Sequence, residues 1–185
     1  MSSVEHIITR LTELKGSVLT RSKAELGETL REMVSSCNTA IALHEAGILA
    51  TEDSVQVVMD SCEAKIVRVS ANSMTRQERK QFKKQIADCE LAITTADYLL
   101  ADTGTIVFLE PTHKSRLLTL LPPAVIVVIE EEKILSSLVK LYEFIDKNSS
   151  KPFLFTGPSR TADIEKKLVL GVHGPEKLTV LLVRG

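Results

Sequence analysis

Two hydrophobic periods alternate along this chain, and that alternation restricts its fold more than any single motif. Short β-prone runs occur near residues 39–43, 65–69, 90–94, 105–109, 124–129, 152–156 and 178–183. Helical stripes fill several of the gaps. Val4, Ile7, Ile8, Leu11 and Leu14 fall on one helical face, and Leu26, Leu30, Met33 and Val34 on another. Ser22-Lys23-Ala24-Glu25 has capping-box spacing ahead of the second stripe, and Thr75-Arg76-Gln77-Glu78 has it ahead of a helix expected to run to about Asp88. The run Glu130-Glu131-Glu132 suits the N-terminus of a helix with Ile134, Leu138, Leu141 and Ile145 turned inward. Such alternation predicts an α/β fold with a mostly parallel sheet covered by helices.

At 185 residues, 44% apolar and 25% charged, the chain is long enough for one sizeable core and too short for two large domains. A single domain over 1–185 is expected, with Asp146 to Pro152 a polar turn inside it. The formal charge of −1 disfavours a nucleic-acid partner. Arg76, Arg79, Lys80, Lys83 and Lys84 form a basic segment, read as a solvated helix face because Glu78 interrupts it. Glu5, Arg10 and Glu13 break up the first residues, and the longest apolar stretch, Ala124 to Ile129, is too short to cross a bilayer. No membrane span and a cytoplasmic location are the expectation.

Ligand chemistry concentrates in three places. Pro152 to Phe155 reads as a strand leaving through Gly157 and Pro158 into Ser159, Arg160, Thr161 and Asp163. If a helix begins there, its free N–H groups, hydroxyls and guanidinium make an anion pocket; a strand-to-helix turn needs the same residue types for purely structural reasons. Asp102-Thr103-Gly104-Thr105 offers a carboxylate, two hydroxyls and a flexible amide, or a tight hairpin into the strand Ile106 to Leu109. His173, between Gly171 and Gly174, has a pKa suited to taking a substrate proton, or is a turn histidine bonded to a carbonyl. Arg116 is a second anion contact or a solvated turn residue. His44 is a cleft residue or a packed strand-end histidine. No residues have metal-ligand spacing, and Cys37, Cys62 and Cys89 are too far apart in sequence for a zinc pair or a close thiolate run.

Three blocks together resemble the lactate-utilisation protein family, the LUD domain, and in particular its small C-type subunit. They are Asp102-Thr103-Gly104-Thr105 with the preceding Ala96 to Ala101, the Arg116 to Pro122 block, and Thr156 to Glu165 followed by Gly171 to Pro175. They cover roughly residues 90 to 183 in the family's order. One departure is Asp102, where the family usually has Glu. The resemblance implies a three-layer Rossmann-like domain of the sugar-phosphate isomerase and coenzyme A transferase fold. It implies a subunit of a bacterial system oxidising L-lactate to pyruvate, in which iron–sulfur clusters belong to partner subunits and this chain carries no cofactor. Arg160 would then hold the substrate carboxylate, and His173, Asp102 or Asp163 would take the hydroxyl proton. A non-catalytic carboxylate- or nucleotide-binding accessory subunit, or an acyl- or phosphosugar-processing enzyme, are the other readings. In such a fold the loops of Thr103 and Gly157, with His44, are expected in one cleft at the carboxyl ends of the strands.

Overall fold

The computed structural model describes residues 3–44, 47–49, 56–58, 60–69, 75–109, 113–145, 151–158, 160–162, 168–170 and 174–185, with the backbone alone at 47, 113–115, 160–162 and 168–170. Six parallel strands form the main sheet: β1 (Ser17–Ser22), β2 (Ala40–His44), β3 (Lys65–Val69), β4 (Leu91–Thr95), β7 (Ala124–Glu130) and β12 (Lys177–Arg184), in the order β1-β12-β7-β4-β2-β3. Strand periodicity divides its side chains between two cores. Val125, Val127 and Ile129 of β7 and Val180 and Leu182 of β12 face one, while Ile126, Val128, Leu181 and Val183 face the other.

Against the second face packs α2 (Leu26–Val34) through Leu26, Leu30 and Val34. The first face receives α1 (Ser3–Glu13), α3 (Arg76–Ala87) and α4 (His113–Leu120), and with them a smaller sheet. That sheet runs β8 (Ile134–Leu135), β5 (Tyr98–Leu100), β6 (Thr105–Phe108), β9 (Phe153–Phe155), with the β5–β6 and β6–β9 pairs antiparallel. Its Leu99, Ile106, Phe108 and Phe155 enter the first core. A short hairpin, β10 (Arg160–Ala162) with β11 (Leu168–Leu170), stands apart from both sheets. Helices on both faces of a parallel sheet are the α/β architecture expected from the sequence.

Three local expectations are corrected. The runs at 105–109 and 152–156 are strands of the small sheet, since β6 and β9 find antiparallel partners in each other. The helix expected after Gly157 is replaced by the β10–β11 hairpin. The acidic run opens only a 3-10 turn, because Ile134 and Leu135 are captured by the edge of β5; the helix that follows, α5 (Leu138–Phe144), starts at Ser137, whose Oγ accepts from Lys140 N at 3.4 Å. Leu141 and Ile145 do face inward, but Leu138 is substantially exposed.

Both capping boxes form. Thr75 Oγ1 accepts from Glu78 N at 3.3 Å while Glu78 accepts from Thr75 N at 2.6 Å, and Glu25 accepts from Ser22 N at 2.8 Å. Glu90, just ahead of β4, ties the start of β2 to it by accepting from the backbone N–H groups of Thr39 and Asn38. These bonds, that from Thr39 foremost, hold its carboxyl below the ordinary carboxylate range. A depressed carboxylate contributes stability that is complete above its unfolded-state pKa and is lost as pH falls through its folded-state pKa. Unfolding of Glu90→Gln followed between pH 7 and pH 3 should therefore show a shallower loss of stability at the acid end than the parent chain; identical acid limbs would exclude the role.

Candidate functional site

The Asp102 to Thr105 block and the Gly157 turn meet at one place. Gly104 N bonds Leu100 O at 2.9 Å, closing the hairpin between β5 and β6 that the sequence allowed. The register Ile106↔Phe155 brings the residues preceding β6 and following β9 side by side, and Thr105 Oγ1 lies 2.8 Å from Thr156 Oγ1. Thr105 is buried and Thr156 is exposed, so the hydroxyl pair spans from core to surface. Gly104 and Gly157 flank that pair with φ of 67° and 71°, a left-handed conformation that residues with a Cβ rarely adopt.

Helix α1 gives both glycines a structural reason. A Cβ on Gly104 would lie 3.1 Å from Leu11 Cγ, and one on Gly157 would lie 3.1 Å from Leu14 Cβ. The body that comes close to these loops is thus the last turn of α1 together with Leu14, the residue that follows it. Arg10 Nε donates to Asp102 O at 3.1 Å, and Asp102 N donates to Ser136 O at 3.3 Å, so the turn is held from both sides through its backbone while Asp102 itself stays exposed. Leu14 precedes β1 by only a few residues, which sets this cluster toward the amino end of that strand rather than the carboxyl ends.

Other sequence candidates lie elsewhere. Arg116, exposed on α4, stacks its guanidinium 5.8 Å from the centroid of Phe153, which leans on Phe108 at 5.9 Å. Four residues of extended chain, about 13 Å, separate Phe153 from Gly157. His44 ends β2 with Nδ1 3.0 Å from Thr94 Oγ1, which in turn donates to Thr95 O at 3.2 Å. The bond to Thr94 ties the half-buried His44 to the neighbouring strand β4. Pro158 is buried beside Gly157, and the backbone of Arg160 and Thr161 begins β10. Ser159, Asp163 and His173 fall outside the described residues.

A cavity of about 210 Å³ opens where β1, β12 and β7 end, lined by Lys23, Ile48, Glu130, Glu131, Arg184 and neighbours. It shares no residue with the glycine cluster. Of its lining residues, Arg184 Nε contacts Glu131 at 2.9 Å, and Glu130 is paired with Lys133 at 3.0 Å. The triple-glutamate run was the sequence signal for this cavity, but it also fits a helix start. The three cysteines do not form a cluster ligand set: Cys37 and Cys62 belong to the core on one face of the main sheet and Cys89 to the core on the other. All three are free, and burial pushes the thiols of Cys37 and Cys89 up to about 11, away from the thiolate that iron binding requires.

Comparison with known proteins supplies what geometry alone does not. The family model of the LUD domain matches residues 4–183. The chain belongs to the LUD-domain family. A relative from Geobacillus sp. named "Lactate utilization protein C" is 31% identical over 176 residues, 86% of this chain and 68% of that protein. One of the same name from Macrococcus caseolyticus is 36% identical over 107 residues, 54% of this chain and 46% of its own length. The chain thus spans about half to two thirds of these relatives. A solved DUF162-family protein from Deinococcus radiodurans superposes with a TM-score of 0.67 at 19% identity over 99% of both chains, which establishes the shared fold. The LUD match extends through the N-terminal half, where no motif was recognised in the sequence, and therefore includes α1. Among the described residues, no helix is long and apolar enough to cross a membrane.

If the glycines serve the contact with α1, then Gly104→Ala and Gly157→Ala should each lower stability by at least about 1–2 kcal/mol, the cost of a left-handed residue bearing a Cβ. Thermal or denaturant unfolding measures this. Unchanged midpoints in both variants would mean the glycines are kept for something other than packing.

Proposed function

We propose that this LUD-domain chain is a subunit of a bacterial lactate-utilisation system, contributing a small-carboxylate site to the oxidation of L-lactate to pyruvate. The observation that carries the reading is the family match over 4–183, joined to relatives named for lactate utilisation. Oxidising a 2-hydroxy acid requires a cation for the carboxylate, a base for the hydroxyl proton and an acceptor for two electrons. In this reading Arg160 supplies the cation, three residues beyond Gly157 in sequence, the paired hydroxyls of Thr105 and Thr156 orient the ligand, and Thr103, Ser159 and Thr161 are the further hydroxyls of the same motifs. The base is His173, Asp102 or Asp163. Electrons leave through an iron–sulfur partner subunit.

The second reading is a carboxylate-binding accessory subunit that does no chemistry itself. It is favoured by the packing of Gly104 and Gly157 against α1, which accounts for both loops without a reacting substrate.

Lactate-dependent reduction of an artificial electron acceptor, measured with the chain, the iron–sulfur partners and both together, should appear only in the combination. Full activity of the partners without this chain would overturn the catalytic reading. Arg160→Ala should weaken lactate binding by about 1.5–3 kcal/mol with little change in melting temperature, and Arg160→Lys should recover only part, since it keeps the charge but loses the planar fork. A large fall in stability with unchanged affinity would remove Arg160 from the site.

A further inference from the structure

Two of the three cysteines occupy equivalent places at the amino ends of neighbouring strands. Cys37 stands three residues ahead of Ala40 and Cys62 three ahead of Lys65, and Ala40 and Lys65 are partners in the parallel pair of β2 and β3. Lys65 N donates to Thr39 O at 3.0 Å, which carries the pairing to within two residues of Cys37. Neighbouring strands run about 4.8 Å apart, and disulfides span Cα separations of about 4.4–6.8 Å. Cys37 is part of the core on the α2 side of the sheet, and Cys62 packs against that same core. Burial is what chiefly raises the Cys37 thiol, and Cys62 is close enough to add to the rise. Each sulfur now rests on an oxygen, Cys62 Sγ donating to Val58 O at 3.5 Å and the Cys37 thiol to the Glu90 carboxylate.

We propose that Cys37 and Cys62 form a reversible disulfide, an oxidative modification site that clamps the amino end of β3 to β2. The site is independent of the lactate reading. β3 is the last strand of the main sheet, with β2 as its neighbour, so the link fastens the strand that is otherwise held from one side. Exposure sets the order of reaction. Cys62 is half-buried and Cys37 buried, so Cys62 meets a small disulfide such as oxidised glutathione first. Its thiolate attacks one sulfur of that disulfide, and one glutathione thiolate leaves. Cys37 then gives up its proton, attacks Cys62 Sγ and expels the second glutathione thiolate. Two protein thiols have lost two electrons, the small disulfide has gained them, and the two protons end on the two glutathione thiols. Cys89 stays outside the reaction, since it lies in the core on the other face of the sheet and its Sγ donates to Gln85 O at 3.2 Å.

The test treats the native chain with oxidised glutathione at about pH 8.5, the ordinary thiol pKa, then alkylates the remaining thiols and analyses the peptides by mass. Two of the three thiols should disappear, with the Cys37 and Cys62 peptides joined within one chain, and dithiothreitol should restore both. Cys89→Ser should form the same link. Cys37→Ser should stop at a lasting glutathione adduct on Cys62, and Cys62→Ser should keep both its buried thiols over the same period. Hydrogen exchange of the oxidised chain should show the amides of β3 better protected than in the reduced chain, because the strand can no longer part from β2 at its start. A lasting adduct on Cys62 of the parent chain would overturn the proposal, as would thiols that stay reduced or a link to Cys89 or to a second chain. So would a Cys37 to Cys62 link that leaves the protection of β3 unchanged.

Discussion

The contact of α1 with two left-handed glycines is the constraint on which the arrangement of this molecule depends. A parallel sheet needs both faces covered, and here one face is covered partly by another sheet. A three- or four-residue strand has too little surface to fix its own position. Leu11, wholly buried, and Leu14 settle the matter by closing on Gly104, just before β6, and Gly157, shortly after β9. With those ends set, the register Ile106↔Phe155 follows, and the Thr105 and Thr156 hydroxyls come into contact. Arg10, reaching Asp102 O from the same helix, adds a polar contact to the apolar one.

Family and packing thus bear on the same residues in different ways. The Thr-Gly-Thr and Gly-Pro motifs were the most ligand-like features of the sequence, and their glycines turn out to be demanded by a neighbouring helix. The glycines are thereby accounted for by packing, and the Thr105 and Thr156 hydroxyls remain the side-chain chemistry that the two loops bring together. The carboxyl-end cavity, where ligands of α/β sheets often bind, carries ion-paired Glu130, Glu131 and Arg184 in its wall.

Much of the main sheet was legible because long-range burial leaves a local trace. The run Val125 to Ile129 is apolar at every position since both faces of β7 are covered, and Thr75 with Glu78 signals a helix start through two bonds made within four residues. The illegible parts depend on partners distant in sequence. Ser17 to Ser22 is mostly polar, with Val18 and Leu19 its apolar residues, because β1 is an edge strand, so neither period stands out. Ile134 and Leu135 continue a helical stripe in sequence, and only the exposed edge of β5 draws them into a strand. Arg160 begins a strand because Leu170 is its partner, information that no local pattern around Gly157 contains. For the candidate site, the convergence of the Thr103 and Gly157 loops was expected, but the helix α1 that brings them together was recognisable only as an amphipathic stripe with a core to find.

The most direct measurement is native-state hydrogen exchange in Leu14→Ala, a truncation at the half-buried residue just after α1 that leaves Leu11 and the main core intact. If α1 positions the two glycine loops, the amides of β6 and β9 should lose protection more than those of β7 and β12, showing that the small sheet opens while the large one holds. Protection lost equally across all four strands, or unchanged in β6 and β9, would contradict the account.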